Sequence, residues 1–230
     1  CPKSHFNFFE NRSIRTNSES HTGLHSMRIP SLGSVSTVRT LTDEPCSVIG
    51  SVVPYVLGDC DCIGIFSPEA FAAAAERYVV SVWVKEAASD PPVPVFDYSN
   101  VTVNVTGNPF LVTTIATNRS DIIDGWQRIE VVFEIPSGSS IGDITIQLMN
   151  NNSTLDAFFD DIRIHPFNAN MKSFVYHPVT LRLMAELDEN NYATFYEYDE
   201  EGALIRAKKE TVRGIKTIQE SRNSTFKTTP

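Results

Sequence analysis

The sequence contains no long hydrophobic run and no excess of basic residues. None of its apolar stretches approaches the roughly 18 residues that a membrane-spanning helix needs, so we expect no membrane span. The formal net charge is -9, from 28 acidic and 19 basic residues. Such a chain lacks the positive charge that neutralises nucleic-acid phosphates, so nucleic acid is not an expected partner.

Helical periodicity is almost absent as well, whereas apolar and polar residues alternate in many short segments. The segment "WQRIEVVFEIP" places Ile129, Val131, Phe133 and Ile135 on one face, and "DITIQLMN" does the same with Ile144, Ile146 and Leu148. About nine or ten such strands lie between residues 5 and 167, separated by Gly, Pro, Asn and Ser clusters. This spacing predicts an all-β fold with a two-sheet antiparallel sandwich.

The titratable residues show no pattern of a reaction centre. The five histidines have neither a metal-ligand spacing nor a triad partner, and no serine lies in a nucleophile elbow. They are His5, His21, His25, His165 and His177. We therefore expect no enzymatic activity.

Three cysteines lie close together, at Cys46, Cys60 and Cys62. The C-x-C spacing in "GDCDCIG" differs from that of paired zinc knuckles. One interpretation is a disulfide from Cys46 to Cys60 or Cys62, which suits an oxidising, extracytoplasmic setting; the alternative is three reduced thiols. Because Cys1 is the first residue, we expect a fragment of a longer protein or, alternatively, a processed lipoprotein.

Two adjacent carboxylates interrupt the strand "FFDDIRIHPF". Strict alternation puts Asp160 on the face of Phe158 and Ile164, towards the core, and Asp161 on the opposite face, beside Arg163 or water. An ionised carboxylate on an apolar face costs several kcal/mol unless it is paired or binds a metal. Neighbouring strand residues point in opposite directions, so the two acids are not expected to act together as acid and base.

A cation is the expected partner of Asp160. The N-terminal segment offers Glu10, Glu19 and the carbonyls of the turn around Gly23 as hard oxygen ligands of the kind that calcium prefers. If the first and last strands of the sandwich are neighbours, these groups converge, which predicts a structural calcium. The alternative is that Asp160 bonds to backbone amides or to a nearby arginine.

Four motifs together resemble the galactose-binding-like jelly roll found in carbohydrate-binding modules and large secreted bacterial surface proteins. They are "SHTGLHSMRI", "RYVVSVWVKE", "DGWQRIEVVFEIP" and "AFFDDIRIHPF", and the resemblance covers residues 5–167. It implies a jelly-roll domain over residues 1–168. It also implies a structural calcium where Glu10, Gly23 and Asp160 meet, and a packing role for Trp126.

The following segment contains a weak internal repeat of 22 residues. The repeat pairs Tyr176 with Tyr198, His177 with Asp199, and Leu183 with Ile205. It resembles the YD repeat of Rhs-type bacterial surface and toxin proteins. In "YDEEG" we expect Asp199 to bond the turn backbone and Gly202 to take a left-handed conformation. The predicted arrangement is a β-hairpin appendage over residues 169–222, followed by a flexible tail over 223–230.

Taken together, these features predict a non-catalytic structural or adhesive C-terminal module of a secreted bacterial cell-surface protein. Its expected partners are other parts of a larger surface assembly. The alternative is a carbohydrate-binding module in which exposed aromatic side chains stack on the sugars of a polysaccharide. The candidate aromatic residues are Trp83, Tyr55, Tyr98 and Phe96. Trp83 shares its strand face with Ser81 and Lys85, which suggests partial exposure.

Overall fold

The computed structural model describes five stretches of the chain, residues 14–41, 76–108, 113–115, 118–135 and 142–221. Within them the backbone forms antiparallel β-strands in three sheets, and no α-helix. The predicted fold class is confirmed: the protein is all-β, with a two-sheet antiparallel sandwich and an appended C-terminal sheet. No part of the described chain forms a helix long and apolar enough to cross a bilayer.

The first sheet of the sandwich has six strands. In the order in which they lie side by side, they are β1 (Arg15–Thr16), β2 (Ser26–Ile29), β10 (Ala157–Pro166), β4 (Glu76–Glu86), β8 (Trp126–Ile135) and β7 (Asn118–Ile123). Strand β4 lies inside this sheet and pairs with both β8 and β10. The first and last segments of the sandwich are neighbours, since β2 pairs with β10.

The second sheet has four strands, in the order β3 (Ser34–Leu41), β9 (Gly142–Asn150), β5 (Val101–Asn108) and β6 (Thr113–Ile115). Its inward-facing residues pack against those of the first sheet and form the main core. Both alternating sets predicted above are buried there. This core consists of valine and isoleucine with a few larger rings, as expected for the inner faces of two packed sheets.

The C-terminal sheet is a meander of five strands in chain order. They are β11 (Ser173–Tyr176), β12 (Leu183–Leu187), β13 (Ala193–Tyr198), β14 (Leu204–Thr211) and β15 (Gly214–Glu220). These strands lie within the predicted appendage of residues 169–222, which has five strands where a hairpin was expected. The boundary at residue 168 stays a prediction, and the tail at 223–230 lies outside the described residues.

A bulge in β10 overturns the predicted direction of Asp160. Asp160 pairs with Trp83, but the next paired residue is Arg163, opposite Ser81. Asp161 has a φ of +48° and starts the irregular step. An extra residue in a strand shifts the alternation by one, so Asp160 and Arg163 lie on the same face, which is the outer face of the sheet. The expectation that Asp160 points into the sandwich core is therefore wrong.

Candidate functional site

A second hydrophobic cluster lies on the outer face of the six-stranded sheet. Its buried members are Trp83, Ile123, Trp126 and Phe158, and Tyr192 and Ile215 of the C-terminal region pack against them. The C-terminal sheet thus covers the part of this outer face that surrounds Trp83. Burial of Trp126, which is 4% exposed, confirms the packing role expected for it.

His21 lies at the centre of this interface, in the turn between β1 and β2. Its Nδ1 is 2.7 Å from an Asp161 oxygen, and its Nε2 is 3.1 Å from Glu210 Oε1. The ring stacks on Trp83 with 4.2 Å between centroids. Glu210 belongs to β14, so one side chain joins the turn, the β10 bulge and the C-terminal sheet.

The turn that carries His21 depends on Gly23. This glycine has a φ of +65°, a conformation that costs other residues about 1 kcal/mol or more. A Cβ at this position would also come within 2.9 Å of Val175 Cγ1 on β11. Both the backbone conformation and the close approach of the C-terminal sheet therefore favour glycine here.

The charges around His21 favour its protonated form. Burial by itself would lower the pKa of His21. The hydrogen bonds to Asp161 and Glu210, together with the charges of these two acids, instead raise the pKa from 6.5 to about 9. Glu210 is held in place by a second bond, in which the Ala193 amide donates to Oε2 over 3.0 Å. At neutral pH the His21 ring between Asp161 and Glu210 is thus protonated.

Asp160 accepts hydrogen bonds from three backbone amides. His21 N and Thr22 N donate to Oδ2 over 2.8 and 3.3 Å, and Asp161 N donates to Oδ1 over 2.8 Å. Burial and the neighbouring Asp161 charge raise the pKa of Asp160, while these amides and His21 oppose the rise. The arrangement matches the alternative considered from the sequence, in which backbone amides hold Asp160.

Asn191, in the loop between β12 and β13, fixes the C-terminal sheet to the same face. Its carbonyl accepts a hydrogen bond of 2.6 Å from Trp83 Nε1, and its side-chain amide donates to the Asp161 carbonyl over 2.9 Å. The residue has a φ of +66°, a conformation that asparagine tolerates better than most residues. Arg163 adds a bond of 2.5 Å from Nη1 to the Asp188 carbonyl in this loop.

The described members of the predicted calcium set, Glu19, Gly23 and Asp160, each have hydrogen-bond partners within the chain. Glu19 Oε2 pairs with Lys85 Nζ at 2.8 Å, and the Gly23 carbonyl accepts the Ser20 hydroxyl at 3.4 Å. Both Asp160 oxygens face N–H donors. Calcium needs six to eight oxygens, and in the described part of the chain no three His, Cys, Asp or Glu side chains are placed so that they could hold a metal ion. Glu10 lies outside the described residues, and calcium stays a prediction.

The candidate sugar-binding aromatics are in very different environments. The expected partial exposure of Trp83 is wrong, because its ring is 0% exposed between His21 and Tyr192. Tyr98 is also buried, and its hydroxyl donates to the Gly125 carbonyl over 2.8 Å. Phe96 is 88% exposed. Tyr55 lies outside the described residues, as do Cys46, Cys60 and Cys62.

In both turns of the internal repeat, a side chain accepts hydrogen bonds from backbone amides of the turn. Asp199 Oδ1 accepts the Ala203 amide over 2.8 Å, and Gly202 has a φ of +94°, so the prediction for this turn is confirmed. In the first copy His177 Nδ1 accepts the amides of residues 179 and 180 over 3.2 and 3.1 Å. A different side chain thus supplies the acceptor, and Leu181 has the positive φ, at +57°.

Sequence reasoning missed three residues of the interface: His21 as an ion-pair member, Glu210 and Asn191. They are far apart in sequence, and none belongs to a spacing that indicates contact. His21 is 8% exposed and both of its ring nitrogens are bonded to carboxylates, so the cluster is suited to joining segments. No protein-family model and no curated protein matches the sequence; the fold itself defines the class, an all-β sandwich with an appended sheet.

Proposed function

We propose that this chain is a non-catalytic structural or adhesive C-terminal module of a secreted bacterial cell-surface protein. The observation that supports the proposal is the covered face of the sandwich. The surface on which Trp83 would meet a ligand is occupied by the C-terminal sheet, through hydrogen bonds and ion pairs from three separate segments. A sheet held in this way suits a load-bearing or docking element of a larger assembly.

Exposed apolar residues on the C-terminal sheet support contact with other parts of such an assembly. Phe174 and Tyr176 on β11 are 52% and 55% exposed, and Ile218 on β15 is 60% exposed. These two strands are the edges of the sheet. Edge strands present unpaired backbone groups and readily add another strand.

The second candidate function is carbohydrate binding. Phe96 favours it, since this ring is almost completely exposed in the loop between β4 and β5. An aromatic ring available on one face is the usual platform for a sugar. In this alternative the loop, and not the strand that carries Trp83, would contact the polysaccharide.

Labelled full-length chain, tested on a glycan array and on intact bacterial cells, separates the two functions. A structural or adhesive module is retained on cells, and soluble polysaccharides do not compete. Binding that one polysaccharide competes, and that Phe96→Ala abolishes while the matched control Phe174→Ala does not, favours the alternative. Failure to bind both cells and glycans contradicts the adhesive role.

A further inference from the structure

The edge strand β11 and the turn after it form an exposed apolar surface. Within the described residues β11 pairs only with β12, so the backbone groups on its other side bond no described strand. We propose that two copies of this chain associate through this edge, with β11 of one copy paired antiparallel to β11 of the second. The inference rests on the proposed structural role, because it names the partner that the C-terminal sheet contacts.

The composition of this edge is the first support. Residues 173–181 contain no Asp, Glu, Lys or Arg, although charged residues make up 20% of the chain. Phe174 and Tyr176 lie on the same side of β11 and are more than half exposed, and Val179 and Leu181 in the following turn are more exposed still. Natural sheets protect an exposed edge with charged side chains, lysine above all, or with bulges. An apolar edge without charge therefore indicates a surface that another chain covers.

The backbone of Leu181 is the second support. Its φ is +57°, a conformation that is costly for every residue except glycine. In the other turn of the internal repeat, the positive φ belongs to Gly202. The first turn thus keeps an exposed leucine in a conformation that glycine would adopt without strain. Strained residues of this kind cluster at functional sites, and this one adds an apolar side chain beside β11.

Self-complementarity favours a second copy as the partner. A two-fold axis at Val175 places this residue opposite itself, and it places Phe174 of each copy opposite Tyr176 of the other. Cross-strand pairs of aromatic residues stabilise antiparallel sheets. Residues 173–177, which oppose one another in this register, carry no like charges. The net charge of -9 on each copy opposes association at longer range, and salt screens that repulsion.

The opposite edge of the sheet, β15, has the protection that β11 lacks. Its register with β14 shifts between Ala207 and Lys208, which leaves Ile218 as an extra residue without a paired position. Lys216 and Glu220 place charges of both signs on the same strand. Because bulges and charges discourage edge pairing, we expect association through β11 alone, which gives a closed dimer and not a polymer.

Sedimentation equilibrium of the full chain at micromolar concentrations tests the proposal. We expect a monomer–dimer equilibrium that shifts towards dimer as salt is added. Tyr176→Lys should raise the dimer Kd at least roughly tenfold, because both Phe–Tyr pairs are lost and a charge enters the edge. The matched control Ile218→Lys, on the β15 edge, should leave the Kd unchanged. A wild-type chain that stays monomeric, or a Kd that Tyr176→Lys does not change, overturns the proposal.

A mixing experiment tests the register. Phe174→Glu and Tyr176→Lys should each dimerise weakly alone, whereas their mixture should dimerise more tightly, because the new carboxylate of one copy faces the new ammonium group of the other. A mixture no tighter than either variant contradicts the pairing.

Two readouts keep the result decisive. If a variant does not fold, hydrogen exchange of the wild-type chain replaces it: the amides of residues 173–176 must exchange more slowly at high protein concentration, and exchange independent of concentration overturns the proposal. Retention on bacterial cells separates this inference from the proposed function. A monomeric chain that cells retain overturns the inference alone, and a dimer that cells do not retain supports the inference and contradicts the adhesive role.

Discussion

The two hydrophobic clusters of the protein differ in composition and in the interactions that stabilise them. The core between the sandwich sheets is mainly aliphatic, and its strands pair over long, regular registers. The cluster under the C-terminal sheet is aromatic and surrounds buried charges that come from residues 21, 161 and 210. Burial of apolar area is non-directional and tolerant, whereas a buried ion pair is sensitive to the loss of any one partner.

The largest expected effect is that of His21→Ala. This change leaves Asp161 and Glu210 buried without their cation, for which we expect a loss of about 3–5 kcal/mol in the free energy of unfolding. Urea denaturation at pH 7 measures it. The control is His25→Ala, in the same turn, whose ring hydrogen-bonds Arg15 at the surface and which we expect to cost well under 1 kcal/mol. Similar losses in the free energy of unfolding for the two variants would mean that the buried ion pairs contribute no more than a surface hydrogen bond.

Stability should also depend on pH through His21. Because the folded pKa of about 9 lies above the ordinary 6.5, the contribution of His21 is complete below pH 6.5 and is lost as the pH rises to 9. The total change is roughly 3 kcal/mol. Urea midpoints between pH 6 and 9 should fall for wild type and for the sandwich-core variant Ile146→Ala, but remain level for His21→Gln. A flat wild-type profile would argue against a charged His21.

Trp83→Phe should reduce the free energy of unfolding by less than His21→Ala or the loss of the His21 proton does. Phenylalanine retains most of the buried ring but removes the N–H that donates to the Asn191 carbonyl over 2.6 Å. An unsatisfied buried acceptor costs about 1–3 kcal/mol. Hydrogen exchange should show the loss locally, with faster exchange in the loop of residues 188–191 and little change in β9 of the other sheet. Unchanged exchange in that loop would mean that the bond contributes little.

The smallest effect is expected at the turn of residues 177–182, and it is an increase in stability. Leu181 is 73% exposed and has a φ of +57°, so Leu181→Gly should relieve about 1 kcal/mol of backbone strain, offset in part by chain entropy. Val179→Gly, at an exposed residue of the same turn without a positive φ, should destabilise. The two melting temperatures, measured side by side, must move in opposite directions.

Much of the sandwich could be predicted because its signal is local. Alternation alone identifies the inward faces of β8 and β9, and the turn chemistry of Asp199 and Gly202 follows from residue type. The direction of Asp160 could not be predicted, because a bulge leaves no mark in the alternation that it interrupts. His21 and Glu210 meet only after two separate sheets pack together, and a contact across 189 residues has no periodicity from which to infer it.

A double-mutant cycle on His21→Gln and Glu210→Gln is the most direct measurement of whether this ion pair joins the C-terminal sheet to the sandwich. Urea unfolding of wild type, both single variants and the double variant gives the coupling free energy. We expect the two changes to be non-additive by at least about 1 kcal/mol, as for residues in one buried network. Additive losses, with a coupling of zero within error, would contradict a joining role for the pair.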